Sequence, residues 1–166
     1  MNIRESVPSD LPAALALNNA NVPELNELDA TELGRLVRES VLSLTAEVDG
    51  AFAGFCILFA PDAPYQSLNY QWFSRTYDDF VYLDRIAVHP DFRRYGIGRS
   101  FYAAVVDRFT GRFPLLCCEV NVRPRNEPSL AFHHAVGFRE VGQQDTDHGK
   151  RVSLLALPLD GQPKDA

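Results

Sequence analysis

A short run rich in arginine and glycine is the part of the sequence best suited to bind a charged ligand. Residues 93–100 read Arg-Arg-Tyr-Gly-Ile-Gly-Arg-Ser. The two glycines allow the backbone to approach a ligand closely. A helix that begins here would direct unpaired N–H groups and the positive end of its dipole at that ligand. Because three arginines add full positive charges, the run predicts a site for a multiply charged phosphate group.

Two common phosphate-binding motifs do not fit these residues. The P-loop requires a Lys-Ser/Thr pair after its second glycine, whereas Gly98 is followed by Arg99 and Ser100. The dinucleotide-binding fingerprint requires a third glycine at the position that Phe101 occupies. One alternative is a glycine-rich turn with solvated arginines, so the flanking elements have to be considered.

The flanking patterns predict a strand before the run and a helix after it. Residues 81–88 are largely apolar and β-prone, and Pro90 ends the strand because proline cannot donate to a ladder. Apolar residues then recur at helical spacing, which predicts a helix over residues 96–109. Its predicted inward positions are Ile97, Phe101, Ala104, Val105 and Phe109.

A second motif follows one predicted strand (residues 115–122) later. Residues 126–138 read Asn-Glu-Pro-Ser-Leu-Ala-Phe-His-His-Ala-Val-Gly-Phe. Together with Arg-x-x-Gly-x-Gly at residues 93–98, this closely resembles the two signatures of the GNAT superfamily of N-acetyltransferases, in the family's order and spacing. The resemblance covers about residues 80–142, and the N-terminal half matches only in its order of elements.

The resemblance implies an α+β fold built on a mixed, mostly antiparallel sheet of about seven strands with helices on both faces. The fourth and fifth strands, at about residues 80–88 and 115–121, would splay apart into a V. We expect one N-acetyltransferase domain over residues 1–159 and a loose tail over residues 160–166.

The residue patterns predict further elements that agree with this order. They are a strand over residues 2–7, a helix that starts near residue 10, a second helix over 31–41, a hairpin of strands 42–48 and 52–59, a short helix from Asn126 to Gly137, and strands 138–142 and 151–157. The inward face of the helix after Asn126 is predicted at Phe132, Ala135 and Val136.

The resemblance implies acetyl-CoA as the co-substrate. Its pantetheine arm would pair with the backbone of Ile86, Ala87 and Val88. Asn126 would contact the pantetheine or hold the nearby loop. The pyrophosphate would lie on Arg93, Arg94, Tyr95, Gly96, Ile97, Gly98, Arg99 and Ser100.

Transfer to an amine also needs a hydrogen-bond donor to the carbonyl oxygen and an acid for the leaving thiolate. The Val88 N–H could be that donor. His133 occupies the position where the family often has a tyrosine acid. It could donate the proton, act as a base, bind the sulfur or be an exposed helix residue beside His134.

The amine must lose a proton, for which a carboxylate is suited. Asp84 and Glu119 are the candidate bases. Asp84 lies among apolar residues, where an ionised carboxylate is costly unless it is paired or functional. A salt bridge, with Arg85 or Arg123, or a solvent-facing position is the alternative for these carboxylates. Tyr82 is a further possibility and by type a core residue.

Residues 60–79 are predicted as an irregular connection with many aromatic side chains. Phe73 and Tyr77 could bind the acceptor as part of a wall or lid. The alternatives are that the aromatics cover the edge of the core or form a subunit contact in a homodimer.

Net charge limits the partners. A net charge of −6 argues against a general nucleic-acid binder and favours a cationic or amine acceptor, either a small molecule or a peptide. Neither the cysteines nor the histidines have metal-ligand spacing, so no metal is expected.

The cysteines and the N-terminus predict the compartment. Cys56, Cys117 and Cys118 lie in apolar runs, as buried reduced thiols do. The sequence shows no signal-peptide pattern and no apolar run long enough to cross a membrane. We therefore expect a soluble cytoplasmic protein without membrane partners.

Two classes of function follow. The first is an acetyl-CoA-dependent N-acetyltransferase that acts on a primary amine by direct attack. The second is an acyl-CoA-binding module that senses the cofactor without turnover. Transfer of a longer acyl group is a third option.

Overall fold

The computed structural model describes residues 1–160 and contains seven strands and five α-helices in that part of the chain. They are β1 (Asn2–Glu5), α1 (Leu11–Ala20), α2 (Ala30–Glu39), β2 (Leu42–Val48), β3 (Ala51–Phe59), α3 (Leu68–Thr76), β4 (Val81–Val88), α4 (Ile97–Phe109), β5 (Leu115–Arg123), α5 (Glu127–Val136), β6 (Arg139–Asp145) and β7 (Arg151–Pro158). The predicted tail at 160–166 lies almost entirely outside the described residues.

The strands form one sheet in the order β1-β2-β3-β4-β5-β7-β6. The pairs β1–β2, β2–β3, β5–β7 and β6–β7 are antiparallel. The β4–β5 pair is parallel, with Val81 opposite Leu116 and Tyr82 opposite Cys117. The predicted α+β class and mostly antiparallel seven-stranded sheet are confirmed, while the splaying of β4 from β5 stays a prediction.

The chain divides into two compact units. Unit 1 comprises residues 1–63 and 83–105, and unit 2 comprises residues 64–82 and the chain from residue 106. The single domain over residues 1–159 stays a prediction.

Local signals explain two features of unit 1. Asp29 caps α2 by accepting a hydrogen bond from the Glu32 N–H at 2.8 Å. The β2–β3 hairpin turns at Asp49 and Gly50, which both have positive φ, at 50° and 78°. Asp-Gly is a favoured pair for such a turn, so this hairpin was predictable from two residues.

The connection predicted as irregular at residues 60–79 contains a helix, which corrects the sequence-based expectation. Ser67 caps α3 by accepting from the Tyr70 N–H at 3.1 Å. Tyr70 and Phe73 are buried and pack on Phe80, with ring centroids 6.0 and 6.2 Å away. Tertiary packing of aromatic residues, which are weak helix formers, thus stabilises this nine-residue helix.

The inward face predicted for α5 is also wrong. The structure buries Leu130 and His133, whereas Ala135 is exposed and Phe132 and Val136 are half-buried. The predicted face omitted His133, whose ring packs against Phe132 and Phe138.

At Gly54, β3 lies close to the backbone of β4. A Cβ atom at Gly54 would lie 2.6 Å from the Ala87 carbonyl oxygen of β4. The same strands are joined where the His89 N–H donates to the Ala53 carbonyl at 2.8 Å. The absence of a side chain at Gly54 therefore sets the position of the last residues of β4.

We predict that Gly54→Ala lowers the free energy of unfolding by about 1–3 kcal/mol, because the methyl group would push β3 away from the backbone of β4. Urea denaturation followed by circular dichroism measures this change.

Gly34→Ala in α2 is the matched control. Its Cβ would meet the flexible end of Arg38 at 3.3 Å, and alanine is the better helix former. The Gly34 variant should be as stable as the wild type or more stable. Equal stability of both variants would contradict the steric argument.

Candidate active site

The predicted phosphate-binding loop connects β4 to α4 in unit 1. A turn of 3-10 helix at Pro90–Phe92 follows β4, and Gly96 adopts a φ of 71° immediately before α4 begins at Ile97. A Cβ at Gly96 would meet nothing within 4 Å, so the backbone conformation, rather than space, favours glycine there.

The loop residues fit a phosphate group. The first N–H groups of a helix have no carbonyl partner within it and carry the positive end of its dipole. Arg93, Arg94, Tyr95 and Arg99 are exposed around this helix start. The structure thus combines backbone donors and cations that can neutralise an anion.

The backbone predicted to pair with pantetheine lies directly before this loop. Ile86 and Val88 are half-buried, while Ala87 is buried against the position of Gly54. These residues and the loop belong to the same unit.

Asp84 forms a buried ion pair, which was the alternative left open by the sequence. Its Oδ2 accepts from the Arg85 Nε at 2.7 Å, and the two side chains are only 5% and 4% exposed. Arg85 also donates to the side-chain oxygens of Asn18 and Asn26, at 2.9 and 3.0 Å. A carboxylate held in this way is poorly placed to accept a substrate proton.

Glu119 has a different environment in unit 2. The Tyr82 hydroxyl donates to its carboxylate, 2.7 Å from Oε2 and 2.9 Å from Oε1. Tyr82 is buried and Glu119 half-buried. The phenol therefore orients the carboxylate. The sequence indicated both residues as candidates but not their contact, which depends on the parallel pairing of β4 with β5.

Cys117 lies two residues before Glu119 on β5 and is fully buried. Burial, with the negative charge of Glu119 adding to it, raises the pKa of Cys117 to about 12. All three cysteines are buried and free, as the sequence predicts.

Asn126 caps α5 in unit 2. Its Oδ1 accepts from the Ser129 N–H at 3.3 Å, and its own N–H donates to the Asn121 carbonyl at 3.0 Å. The residue thus fixes the connection from β5 to α5.

His133 lies within the core of unit 2, not on an exposed face. Its Nδ1 is 2.7 Å from the Ser129 carbonyl oxygen, so that nitrogen bears the proton and donates. The ring is 5.3 Å from the Phe132 ring and 5.4 Å from the Phe138 ring. Burial lowers the pKa of His133, and the adjacent His134 contributes in the same direction.

The two residues predicted to bind the acceptor differ in accessibility. Phe73 is fully buried and packs 5.7 Å from the Tyr82 ring, which supports the alternative of core packing. Tyr77 is half-buried, and burial raises its pKa.

A polar pocket in unit 2 was not predicted. It has a volume of about 350 Å³ and is lined by Val122, Arg125, Glu127, Leu130, Ala131, His134, Glu140, Gln143 and Ser153. Hydrogen bonds from Ser153, at 2.5 Å, and from Gln143 hold the pKa of Glu140 below its usual value. These residues come from three strands, a helix and the connection between β5 and α5, so no local sequence pattern marks them.

Residues 1–160 contain neither a cluster of metal ligands nor a helix that could span a membrane. No three His, Cys, Asp or Glu side chains in this range are grouped to hold a metal ion. None of the described helices is both long and apolar enough to span a bilayer.

Residues 12–138 match the acetyltransferase (GNAT) family. Among curated proteins, the [ribosomal protein bS18]-alanine N-acetyltransferase of Escherichia coli strain K12 is 29% identical over 86 residues, which cover 49% of this chain and 57% of that protein. The match therefore spans less than two thirds of that relative's length.

Solved structures share the fold along nearly the whole chain. The ribosomal-protein-S18-alanine N-acetyltransferase from Escherichia coli has a TM-score of 0.73 at 22% identity, covering 99% of this chain and 97% of that one. The structure of yncA from Salmonella typhimurium with its cofactor acetyl-CoA has a TM-score of 0.70 at 18% identity, covering 100% of this chain and 98% of that one. At these identities the similarity shows the fold. Because the family match covers well over half of the sequence, the chain belongs to the acetyltransferase (GNAT) family.

Proposed function

We propose that this protein is an N-acetyltransferase that moves the acetyl group of acetyl-CoA to a primary amine by direct attack. The observation that carries the proposal is the β4–loop–α4 connection, where Gly96 with positive φ precedes a helix start surrounded by exposed arginines. Membership of the acetyltransferase family supports it.

The residues of unit 1 would bind acetyl-CoA. The loop at residues 93–100 and the N-terminus of α4 would bind the pyrophosphate, and β4 would pair with the pantetheine through Ile86 and Val88. The Val88 N–H would donate to the thioester oxygen as negative charge develops there. Asn126 of unit 2, whose Oδ1 caps α5, would contact the pantetheine or hold the loop near it.

Glu119 would be the general base. In the transfer step, the amine nitrogen forms a bond to the acetyl carbon, the carbon–sulfur bond breaks, and the amine loses a proton to the Glu119 carboxylate. Tyr82 keeps this carboxylate oriented through its hydrogen bond. The thiolate of coenzyme A then takes up a proton.

The chemistry of the proton favours an α-amine as acceptor. A peptide N-terminus has a pKa of about 8 and a lysine side chain one of about 10.4, so the α-amine is more easily deprotonated near neutral pH. The curated relative is named for acetylating an alanine, which makes a peptide with N-terminal alanine the first acceptor to test.

The environment of His133 favours a structural role over that of the acid. Its Nδ1–H is already donated to Ser129, so Nε2 of the neutral ring is an acceptor. To supply a proton, the ring would have to be charged inside an apolar environment. A thiolate with a pKa of about 8.5 can instead be protonated by solvent.

One observation favours an acyl-CoA-binding module without turnover as the second candidate. Two of the three catalytic candidates predicted from the sequence, Asp84 and His133, are engaged in buried contacts. Release of free thiol from acetyl-CoA in the presence of amines separates the two functions.

Gly98→Glu should weaken acetyl-CoA binding at least tenfold, because it places an anion at the helix start where the pyrophosphate would bind. Isothermal calorimetry measures the affinity. Ala103→Glu is the matched control, since it adds the same charge at an exposed position further along α4. Equal affinities of both variants would reject the loop as the phosphate site.

Glu119→Gln should lower kcat about 10²- to 10⁴-fold and leave the acetyl-CoA affinity unchanged, because only proton transfer is lost. Thiol release and calorimetry measure the two quantities. The exposed Glu127→Gln variant should retain wild-type kcat. If Glu119→Gln proves unstable, Tyr82→Phe provides the second measurement, and wild-type rates in either variant would argue against Glu119 as base.

His133→Leu should retain kcat and its pH profile but alter stability in acid. Because the folded pKa is lowered, the unfolded state binds more protons as the pH falls below about 6.5, and wild-type stability decreases there. The Tm of the leucine variant should therefore fall less than that of the wild type between pH 7.5 and 5.5.

His134→Leu, which changes an exposed side chain on the same helix, should keep the wild-type pH dependence of Tm. A large loss of kcat in His133→Leu, together with loss of one limb of the pH profile, would instead identify His133 as the acid.

A further inference from the structure

The polar pocket of unit 2 lies between α5 and the sheet, and none of the steps proposed above uses it. On the helix side, Glu127, Ala131 and His134 are spaced by four and three residues, so they share one face of α5. The strands β5, β6 and β7 supply the other side. Its volume of about 350 Å³ is at the small end of the range for ligand pockets, so it suits a small molecule or a single side chain.

The pocket opens on the face of the sheet opposite to the proposed base. In the β5–β7 pair, Ser153 is opposite Val120, and Leu154 is opposite Glu119. Paired residues of a sheet share a face, and consecutive residues of a strand alternate between faces. The Ser153 side chain, which lines the pocket, therefore points away from the face that carries Glu119.

Glu140 is held in the pocket by neutral donors. The Ser153 hydroxyl donates to its Oε2 at 2.5 Å, and Gln143 Nε2 donates to Oε2 and Oε1 at 3.1 and 3.3 Å. Ser153 is only 1% exposed, so a buried group fixes the carboxylate from within the sheet. Because these hydrogen bonds lower the pKa of Glu140, the carboxylate is ionised at neutral pH.

The positive side chains around Glu140 have other partners. Arg125, which also lines the pocket, forms an ion pair with Glu127. Arg151 acts on Glu140 through its charge, but its Nη1 donates to Asp145 at 2.8 Å. With histidine neutral, the lining residues therefore keep one uncompensated negative charge, that of Glu140.

A primary ammonium group matches these acceptors. It carries one positive charge and three N–H donors. The Glu140 carboxylate supplies the opposite charge, and the neutral imidazole of His134 and the carboxylate of Glu127 supply acceptors on the α5 side. Apolar side chains that include Val122 and Leu130 line the rest of the pocket, which suits an alkyl chain. An anion would be repelled by Glu140 and would have to displace Glu127 from its ion pair.

We infer that this pocket is a second binding site, which takes a primary ammonium group on a short alkyl chain. A free alkyl amine and the lysine side chain of a protein partner share this chemistry. Binding here needs neither acetyl-CoA nor turnover, because the lining residues belong to α5, the residues before it and the β5–β7–β6 part of the sheet. The inference can therefore be tested by binding alone.

An NMR titration of the full chain with pentylamine, without acetyl-CoA, tests the site. The methyl resonances of Val122, Leu130 and Ala131 should shift in proportion to occupancy. Pentanol has the same alkyl chain without the charge and should leave them in place. Equal shifts with pentylamine and pentanol, or none with pentylamine, would overturn the inference.

The source of the ammonium group is distinguished by a second probe, Nα-acetyl-lysine methylamide. Shifts of the same methyl groups with both probes would support a lysine side chain of a partner protein as the ligand. Shifts with pentylamine alone would support a free amine, since the peptide groups would then prevent entry.

Three variants test the named residues. Glu140→Gln keeps the shape and an acceptor for Ser153 but removes the charge, so the Kd for pentylamine should rise about tenfold. Asp107→Asn is the matched control, because it removes the same charge at an exposed position of α4 and should change Kd less than twofold. Ala131→Phe, at an exposed position of α5, should fill the pocket and abolish the shift of Val122. Equal Kd values in Glu140→Gln and Asp107→Asn would overturn the inference.

The proposed acceptor is also an amine, so Glu119→Gln is needed to separate the two sites. The pentylamine shifts of Val122 and Leu130 should persist in Glu119→Gln and weaken in Glu140→Gln. The reverse pattern would show that pentylamine binds beside Glu119, which overturns the second site and leaves the proposed transfer intact. A wild type that shows these shifts but releases no thiol from acetyl-CoA would support the second site and reject the transfer.

Discussion

The cost of burying charge governs the polar residues of β4 and β5. An ionised group in an apolar interior is tolerated only with a partner, and each such group here has one. Asp84 is paired with Arg85, and Glu119 accepts from Tyr82. His133 avoids the cost by remaining neutral. Of the candidate catalytic groups, this leaves Glu119 as the carboxylate that is both oriented and half-exposed.

Only the parts of the candidate site that depend on residues close together in the chain were predictable from the sequence. The β4–loop–α4 connection depends on neighbouring residues, since a proline ends the strand region and a glycine precedes the helix. The predicted helix start at residue 96 differs by one position from the observed start at Ile97. By contrast, the Tyr82–Glu119 contact joins residues 37 positions apart and the Arg85–Asn18 contact residues 67 apart. No local pattern specifies such pairs.

Two errors in the predicted fold have a common physical origin. The helix α3 and the inward face of α5 both depend on aromatic or imidazole rings that pack on residues distant in sequence. Phe73 packs on Phe80 and Tyr82, and His133 on Phe138. A ring with a polar edge and an apolar body can be buried or exposed, depending on the residues around it. Sequence periodicity alone therefore cannot predict whether such a ring faces the core.

The protonation state of the amine affects which acceptor the proposed mechanism would favour. At pH 7.5 about a quarter of an α-amine with a pKa near 8 is neutral, against about 0.1% of a lysine side chain. For lysine, the base would have to offset the additional 2 to 3 pKa units, or about 3–4 kcal/mol. A single carboxylate that accepts a hydrogen bond from a phenol is poorly suited to deprotonate a lysine ammonium group. The same carboxylate is sufficient to accept the proton that an already neutral α-amine loses as it attacks. Under the proposed mechanism, with Glu119 as the base, the lower pKa of an α-amine favours a chain terminus over a lysine side chain as the acceptor. Discrimination among termini would then come from the elements that position the acceptor rather than from the base.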